Sequence, residues 1–137
     1  MANVKHLNRL KRGVKQWNQW RLNHQISPDL NGADLGGMKL EGADLSRADL
    51  TESNLQCADL SGVDFDHAAL HDANLRGANC TGADFLQAYL ADADFTSADL
   101  TNADMTETDM SEIDFSFANL SGLNLDNAFI WGSNVSR

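Results

Sequence analysis

The sequence predicts an all-β solenoid behind an N-terminal α-helical cap. Three observations predict it. From Leu30 to Val135, every fifth residue is apolar. The residues around those positions follow one short consensus. A basic stretch with helical spacing precedes them, and all the acidic residues follow it.

The repeat comes first, because self-similarity decides architecture before local propensity does. Its central positions run Leu30, Leu35, Leu40, Leu45 and onward through Cys80 and Met105 to Ile130 and Val135. All 22 are apolar, where an apolar content of 42% gives about nine by chance. Two places before the centre stands Ala in 14 of the 22 repeats, and one place before it Asp or Asn in 18. Ser or Thr often follows the centre, then Gly, giving Ala-Asp-Leu-Ser/Thr-Gly.

A period of five excludes the two regular alternatives. Centres five apart wander around an α-helix of 3.6 residues per turn. They also break the period-two alternation of a continuous strand. A short extended piece followed by a corner does fit. Alternation sends Ala and the apolar centre inward and Asp outward. The Ser/Thr-Gly pair makes the corner, because Gly accepts the positive φ that a type II turn requires.

On this repeat, the chain resembles the pentapeptide repeat proteins over residues 28–137. The resemblance implies a right-handed quadrilateral β-helix with 20 residues per coil, and so about five and a half coils here. The stretch Gly13-Val14-Lys15-Gln16-Trp17-Asn18-Gln19-Trp20-Arg21, with Ser27-Pro28-Asp29-Leu30, is similar to the lead-in of cyanobacterial members.

With 20 residues per coil, centres 20 apart stack. One column runs Leu35, Leu55, Leu75, Phe95, Phe115, Val135, and another Leu45, Phe65, Phe85, Met105, Leu125. Phe65 with Phe85 and Phe95 with Phe115 should stack at about the strand spacing of ~4.8 Å. Met38, Val63, Ile113 and Leu123 replace the inward Ala and should widen the coil locally. The interior is expected dry and full, with no ligand cavity.

Residues 1–27 form the expected cap. Val4, Leu7, Leu10, Val14 and Trp17 recur at spacings of three and four, which predicts one amphipathic helix over residues 3–20. Its apolar stripe would cover the open strand edges of the first coil. The alternative is a helix lying on a membrane surface. At the other end no helix follows. Phe117, Phe129 and Trp131 stand where the repeat carries polar residues. They form either a docking surface or a short cap folded over the last coil.

No catalytic, cofactor or metal site emerges. His67 and His71, with Asp66 and Asp72 nearby, lack the further ligands of a metal centre. Cys57 and Cys80 have neither metal spacing nor a disulfide framework. Carboxylates are everywhere, so no one pair stands out for acid–base work. The chain is not expected to be an enzyme. No apolar run spans a membrane, and no export signal precedes the repeat, so a cytoplasmic location is expected.

Charge is the organised feature. Residues 1–26 carry six basic residues and no acid; residues 27–137 carry four basic residues and all 20 acids, a net of 4 − 20 = −16. Asp44, Asp64, Asp84 and Asp104 should form one outward row, and Glu52, Asp72, Asp92 and Glu112 another along a corner. Two functional readings follow. The first is a non-catalytic scaffold that presents these rigid acidic faces, with Phe117, Phe129 and Trp131, to a protein partner. The second comes from the resemblance, since some family members mimic duplex DNA and bind type II topoisomerases such as gyrase. The coil would be about 26 Å long, with one net charge per about 1.6 Å against ~1.7 Å in duplex DNA. That length matches only about eight base pairs, so mimicry would require a homodimer through the C-terminal end. The gyrase-binding members are longer and dimerise through a C-terminal element that is absent here. The acid rows argue against direct binding of nucleic acid.

Overall fold

The computed structural model describes residues 1–135, two short of the predicted end of the solenoid. From Asp29 onward the chain winds in four-sided coils. Parallel bridges join each outward residue to the one 20 places on, from Asp29 with Asp49 to Asp114 with Asn134. Side one carries Asp29, Asp49, Ala69, Tyr89, Asp109 and Phe129 outward. Side two carries Asp34, Asn54, Asn74, Asp94, Asp114 and Asn134; side three Lys39, Asp59, Asn79, Asp99 and Asn119; side four Asp44, Asp64, Asp84, Asp104 and Asn124.

One repeat shows why the coil is stable. The Asn54 N–H donates to the Ala33 carbonyl of the preceding coil at 2.9 Å. The Leu55 and Cys57 N–H groups donate to Asn74 and Arg76 of the next coil at 2.7 and 2.9 Å. The Ala58 N–H closes the turn on the Leu55 carbonyl at 3.1 Å. That leaves Gln56, whose N–H donates to the Asn54 side-chain oxygen at 3.0 Å. All five donors are satisfied, as backbone accounting demands.

The corners extend the sequence reading. All 21 corners from 32 to 132 have positive φ, and 13 of them carry a residue other than Gly. The turn therefore imposes its geometry whether or not Gly is present, at a cost of roughly 1–2 kcal/mol for each side chain held there.

The interior is filled by the centres and the Ala positions, nearly all buried as far as Phe115. Val63 and Ile113 are buried too. Phe65 stacks on Phe85 with ring centroids 4.8 Å apart, and Phe95 on Phe115 at 5.6 Å. Phe85 also meets Phe95 edge-on at 5.8 Å, which joins the two columns. The last centres depart from expectation: Leu125, Ile130 and Val135 are exposed. They are apolar like the buried centres, but among the described residues no further coil covers them.

The cap is two helices, not one. α1 spans Val4–Lys11 and α2 spans Val14–Leu22. Gly13, at φ 125°, breaks the chain between them, a conformation open to residues without a Cβ. Asn3 caps α1 by accepting from the Lys5 and His6 N–H groups. Leu10 and Trp17 are fully buried, Leu7 and Val14 partly, and Val4 stays exposed.

These helices replace the missing coil. The Asn18 amide oxygen accepts from the Asp44 N–H at 2.8 Å, and its nitrogen donates to the Gly42 carbonyl at 3.0 Å. The Trp17 indole donates to the Asp44 carbonyl at 2.7 Å. Arg21 is buried and donates to the Ile26 and Ser46 carbonyls, both at 2.7 Å, with Asp44 as its ion partner at 3.6 Å. The Asn3 N–H donates to the Asp29 carbonyl at 3.0 Å. An edge that would otherwise recruit another chain is closed.

His6 completes this edge. Its Nδ1 accepts from the Asp29 N–H at 2.9 Å, so that nitrogen must be unprotonated. Burial lowers its pKa from the ordinary 6.5; Arg9 and Arg21 push the same way, and Asp29 opposes them. The unfolded chain therefore binds the proton more readily. The contribution of His6 to stability is complete above about pH 6.5 and is lost as pH falls towards the lowered value. Thermal unfolding across about pH 5–8 should show this loss in the native protein and not in a His6→Asn variant. Equal pH slopes for the two would exclude it.

Candidate interaction surface

The Asp or Asn before a centre has a task that the sequence pattern alone does not reveal. Its side-chain oxygen accepts the N–H two residues on, as in Asp49 with Thr51 and Asp84 with Leu86. Asn does the same in Asn74 with Arg76 and Asn79 with Thr81. This turn needs an oxygen and not a charge. The preference for Asp or Asn is thus structural, and the choice of Asp adds charge that the turn does not require.

On side four the acids stack as predicted. Asp44, Asp64, Asp84 and Asp104 bridge in succession. Burial raises the pKa of Asp64, and the carboxylates of Asp44, Asp84 and Asp66 add to the rise against the opposing hydrogen bond from the Asp66 N–H. The carboxylates are therefore not uniformly solvated and alike. Hydrogen bonds from Thr101 lower Asp99. At Asp94 burial pushes upward, but hydrogen bonds from Thr96 and Arg76 outweigh it.

The cost of the row is testable. Asp64→Asn with Asp104→Asn keeps both turn acceptors and removes every adjacent like-charge pair. Stability at low salt should rise by roughly 1 kcal/mol, with the gain shrinking as salt is added. A loss, or a gain indifferent to salt in urea titrations, would show that the row is not repulsive.

Glu52, Asp72, Asp92 and Glu112 form the second row, at one corner, each with φ near 60°. All four are exposed. Phe117 occupies another corner and is 70% exposed; Phe129 and Trp131 are 60% and 65% exposed. They do not fold over the last coil, so of the two sequence readings the self-cap is the one the geometry disfavours.

Side one contains what the pattern reading passed over. Four outward positions lack Asp or Asn: Lys39, Ala69, Tyr89 and Phe129. The last three share side one. Tyr89 is 49% exposed, and its ring lies 5.9 Å from that of His71. A shallow groove of about 310 Å³ beside it is lined by His67, Gln87, Ala88, Tyr89, Glu107 and Asp109. The sequence signal was present, since Tyr89 breaks the Asp/Asn position.

Other chemistry stays dispersed. His67 Nδ1 lies 2.6 Å from the Asp66 carboxylate, while His71 packs on Tyr89. Among the described residues no three His, Cys, Asp or Glu converge as metal ligands. Cys80 is buried and its thiol is pushed up by burial; Cys57 is exposed at a corner. Among the described residues no helix is long and apolar enough to cross a membrane.

A filled coil with unbroken 20-residue pairing defines a repeat solenoid. Family comparison gives its kind. A model described as pentapeptide repeats matches residues 29–66, 68–106 and 93–132, and the chain belongs to that family. Membership implies the right-handed quadrilateral β-helix. Among solved structures it is similar to the pentapeptide repeat protein Rfr23 from the cyanobacterium Cyanothece 51142. The identity is 21%, over 85% of this chain and 96% of that one, with a TM-score of 0.77. Alr5209, a pentapeptide repeat protein from Nostoc PCC 7120, is 24% identical over 98% of this chain and 96% of that one, with a TM-score of 0.32. QnrB1, a plasmid-mediated fluoroquinolone resistance protein, is 19% identical over 80% of this chain and 73% of that one, with a TM-score of 0.42. No curated protein sequence matches.

Proposed function

We propose that the chain is a non-catalytic, cytoplasmic interaction scaffold whose business is on its outer surface. One observation carries this reading. The interior is packed solid, while Tyr89, Phe117, Phe129 and Trp131 are held in water by a fold whose outward positions mostly carry polar residues. Large exposed aromatics on a rigid support are typical anchors of protein interfaces. The acidic rows around them favour partners of opposite charge and speed their approach. Affinity capture with the native chain and with a Phe117→Ser, Trp131→Ser variant tests this. The variant should keep its circular dichroism spectrum and lose specific partners. Identical captures from both would remove the reading.

A second reading is DNA mimicry toward a type II topoisomerase such as gyrase. It is favoured by the stacked carboxylates of side four and by the open apolar last coil, where Leu125, Ile130, Trp131 and Val135 are exposed. Two copies meeting there would reach about 50 Å of acidic rod. Light scattering across concentration should then give a dimer that Trp131→Ser breaks, and a supercoiling assay would follow. A monomer at all concentrations excludes this reading.

A further inference from the structure

Side one departs from the repeat in one consistent way. Asp and Asn there would accept the N–H two residues on. With Ala69, Tyr89 and Phe129 in their place, that acceptor is lost. Among the described residues, no acceptor within the chain takes the His71, Ala91 or Trp131 N–H. The three remaining members of side one, Asp29, Asp49 and Asp109, keep the bond, to Asn31, Thr51 and Ser111. The repeat gives up this hydrogen bond three times on side one and once elsewhere, at Lys39 on side three, and only on side one does it place aromatic or small side chains outward instead. Nothing in the interior gains, since Tyr89 is 49% and Phe129 60% exposed.

The borders of this side supply its charge. One corner carries Glu52, Asp72, Asp92 and Glu112. The groove at the other carries Glu107, which accepts from Gln87 at 2.6 Å, and Asp109 lies in the side itself. The basic residues of the described coils are Lys39, Arg47 and Arg76, and only Arg47 borders side one, in the first coil. An aromatic ring among carboxylates, with no Lys or Arg on the same coil of that side, suits a guanidinium. The plane of Arg stacks on Tyr while its fork pairs with carboxylates.

We propose that side one is a docking face for an arginine-rich segment of a partner protein, with Tyr89 as the ring on which an Arg stacks. The proposal rests on the scaffold reading and names the partner chemistry of one face. It differs from attraction to the acid rows in general, because side four has more stacked carboxylates and no aromatic residue among its outward positions.

An octa-arginine peptide is the probe, with octa-lysine as its equal in charge. Amide chemical shifts of the full chain are followed during titration. Octa-arginine should bind more tightly than octa-lysine and move the signals of His71, Tyr89 and Ala91 most. Tyr89→Asn should cost about tenfold in affinity. That variant regains a turn acceptor and should melt no lower than the native chain, so loss of binding is not loss of fold. Asp64→Asn with Asp104→Asn on side four should change affinity little.

Equal binding of the two peptides, shifts spread over all four sides, or full affinity in Tyr89→Asn each overturns the proposal. Self-association that Tyr89→Asn abolishes also overturns it, by making a second copy's basic cap the occupant. If the peptide fails while the Phe117→Ser, Trp131→Ser variant still loses partners, only this proposal falls and the scaffold stands.

Discussion

Phe85→Ala is expected to lower unfolding stability by about 3–5 kcal/mol. Phe85 is fully buried, stacked 4.8 Å from Phe65 and meeting Phe95 edge-on at 5.8 Å. Truncation would open a void that neighbouring coils cannot close. The backbone there is pinned by bonds from the Phe85 N–H to Asp104 at 2.7 Å and from the Asp84 N–H to Val63 at 2.9 Å. Phe85→Leu should cost about 1.5 kcal/mol or less, because Leu45 and Leu125 occupy the same column. Phe117→Ala is the surface control and should stay within about 0.5 kcal/mol, its ring being mostly in water. Urea midpoints measure all three. A Phe85→Ala loss below about 1 kcal/mol would mean that the coils relax around the void, contrary to a rigid interior.

That interior was legible in the sequence because its determinants are local and periodic. A residue and the one 20 places on must stack, so the Phe65/Phe85 and Phe95/Phe115 contacts could be named from spacing alone. The edges of the pattern were less legible. Leu125, Ile130 and Val135 look the same in sequence as buried centres, but burial depends on whether another coil follows. Gly13 sat inside a continuous apolar stripe, and stripe spacing does not register a break that preserves the face. Arg21 read as one more basic residue of the cap, whereas its burial comes from carbonyls of Ile26 and Ser46 that only the folded coil brings to it. The acceptor role of Asp and Asn was hidden by their charge. An Asp row suggested electrostatics first, although Asn54 and Asn74 make the same turn without it. Tyr89 was the one functional candidate that the pattern marked and the charge reading overshadowed.

Trp17→Ala should cost a similar 3–5 kcal/mol, but in a different place. Trp17 is fully buried, and its indole N–H satisfies the Asp44 carbonyl at 2.7 Å. Removing it exposes the first coil and orphans that carbonyl. Trp17→Phe keeps most of the packing and loses the donor, so roughly 1–3 kcal/mol is expected from the unsatisfied acceptor. A solenoid is stabilised by nearest-neighbour contacts, so the damage should be graded along the axis. Amide exchange should quicken most at Leu30 and Leu45, whose N–H groups bond only the second coil, at 2.8 Å to Asp49 and to Asp64. It should change least at Leu100 and Met105. If exchange rises equally in every coil, the chain unfolds as one cooperative unit and the cap secures all of it. If it rises nowhere, α1 and α2 are appendages, and the side-chain bonds of Asn18, Trp17 and Arg21 to the first coil contribute nothing measurable to the fold.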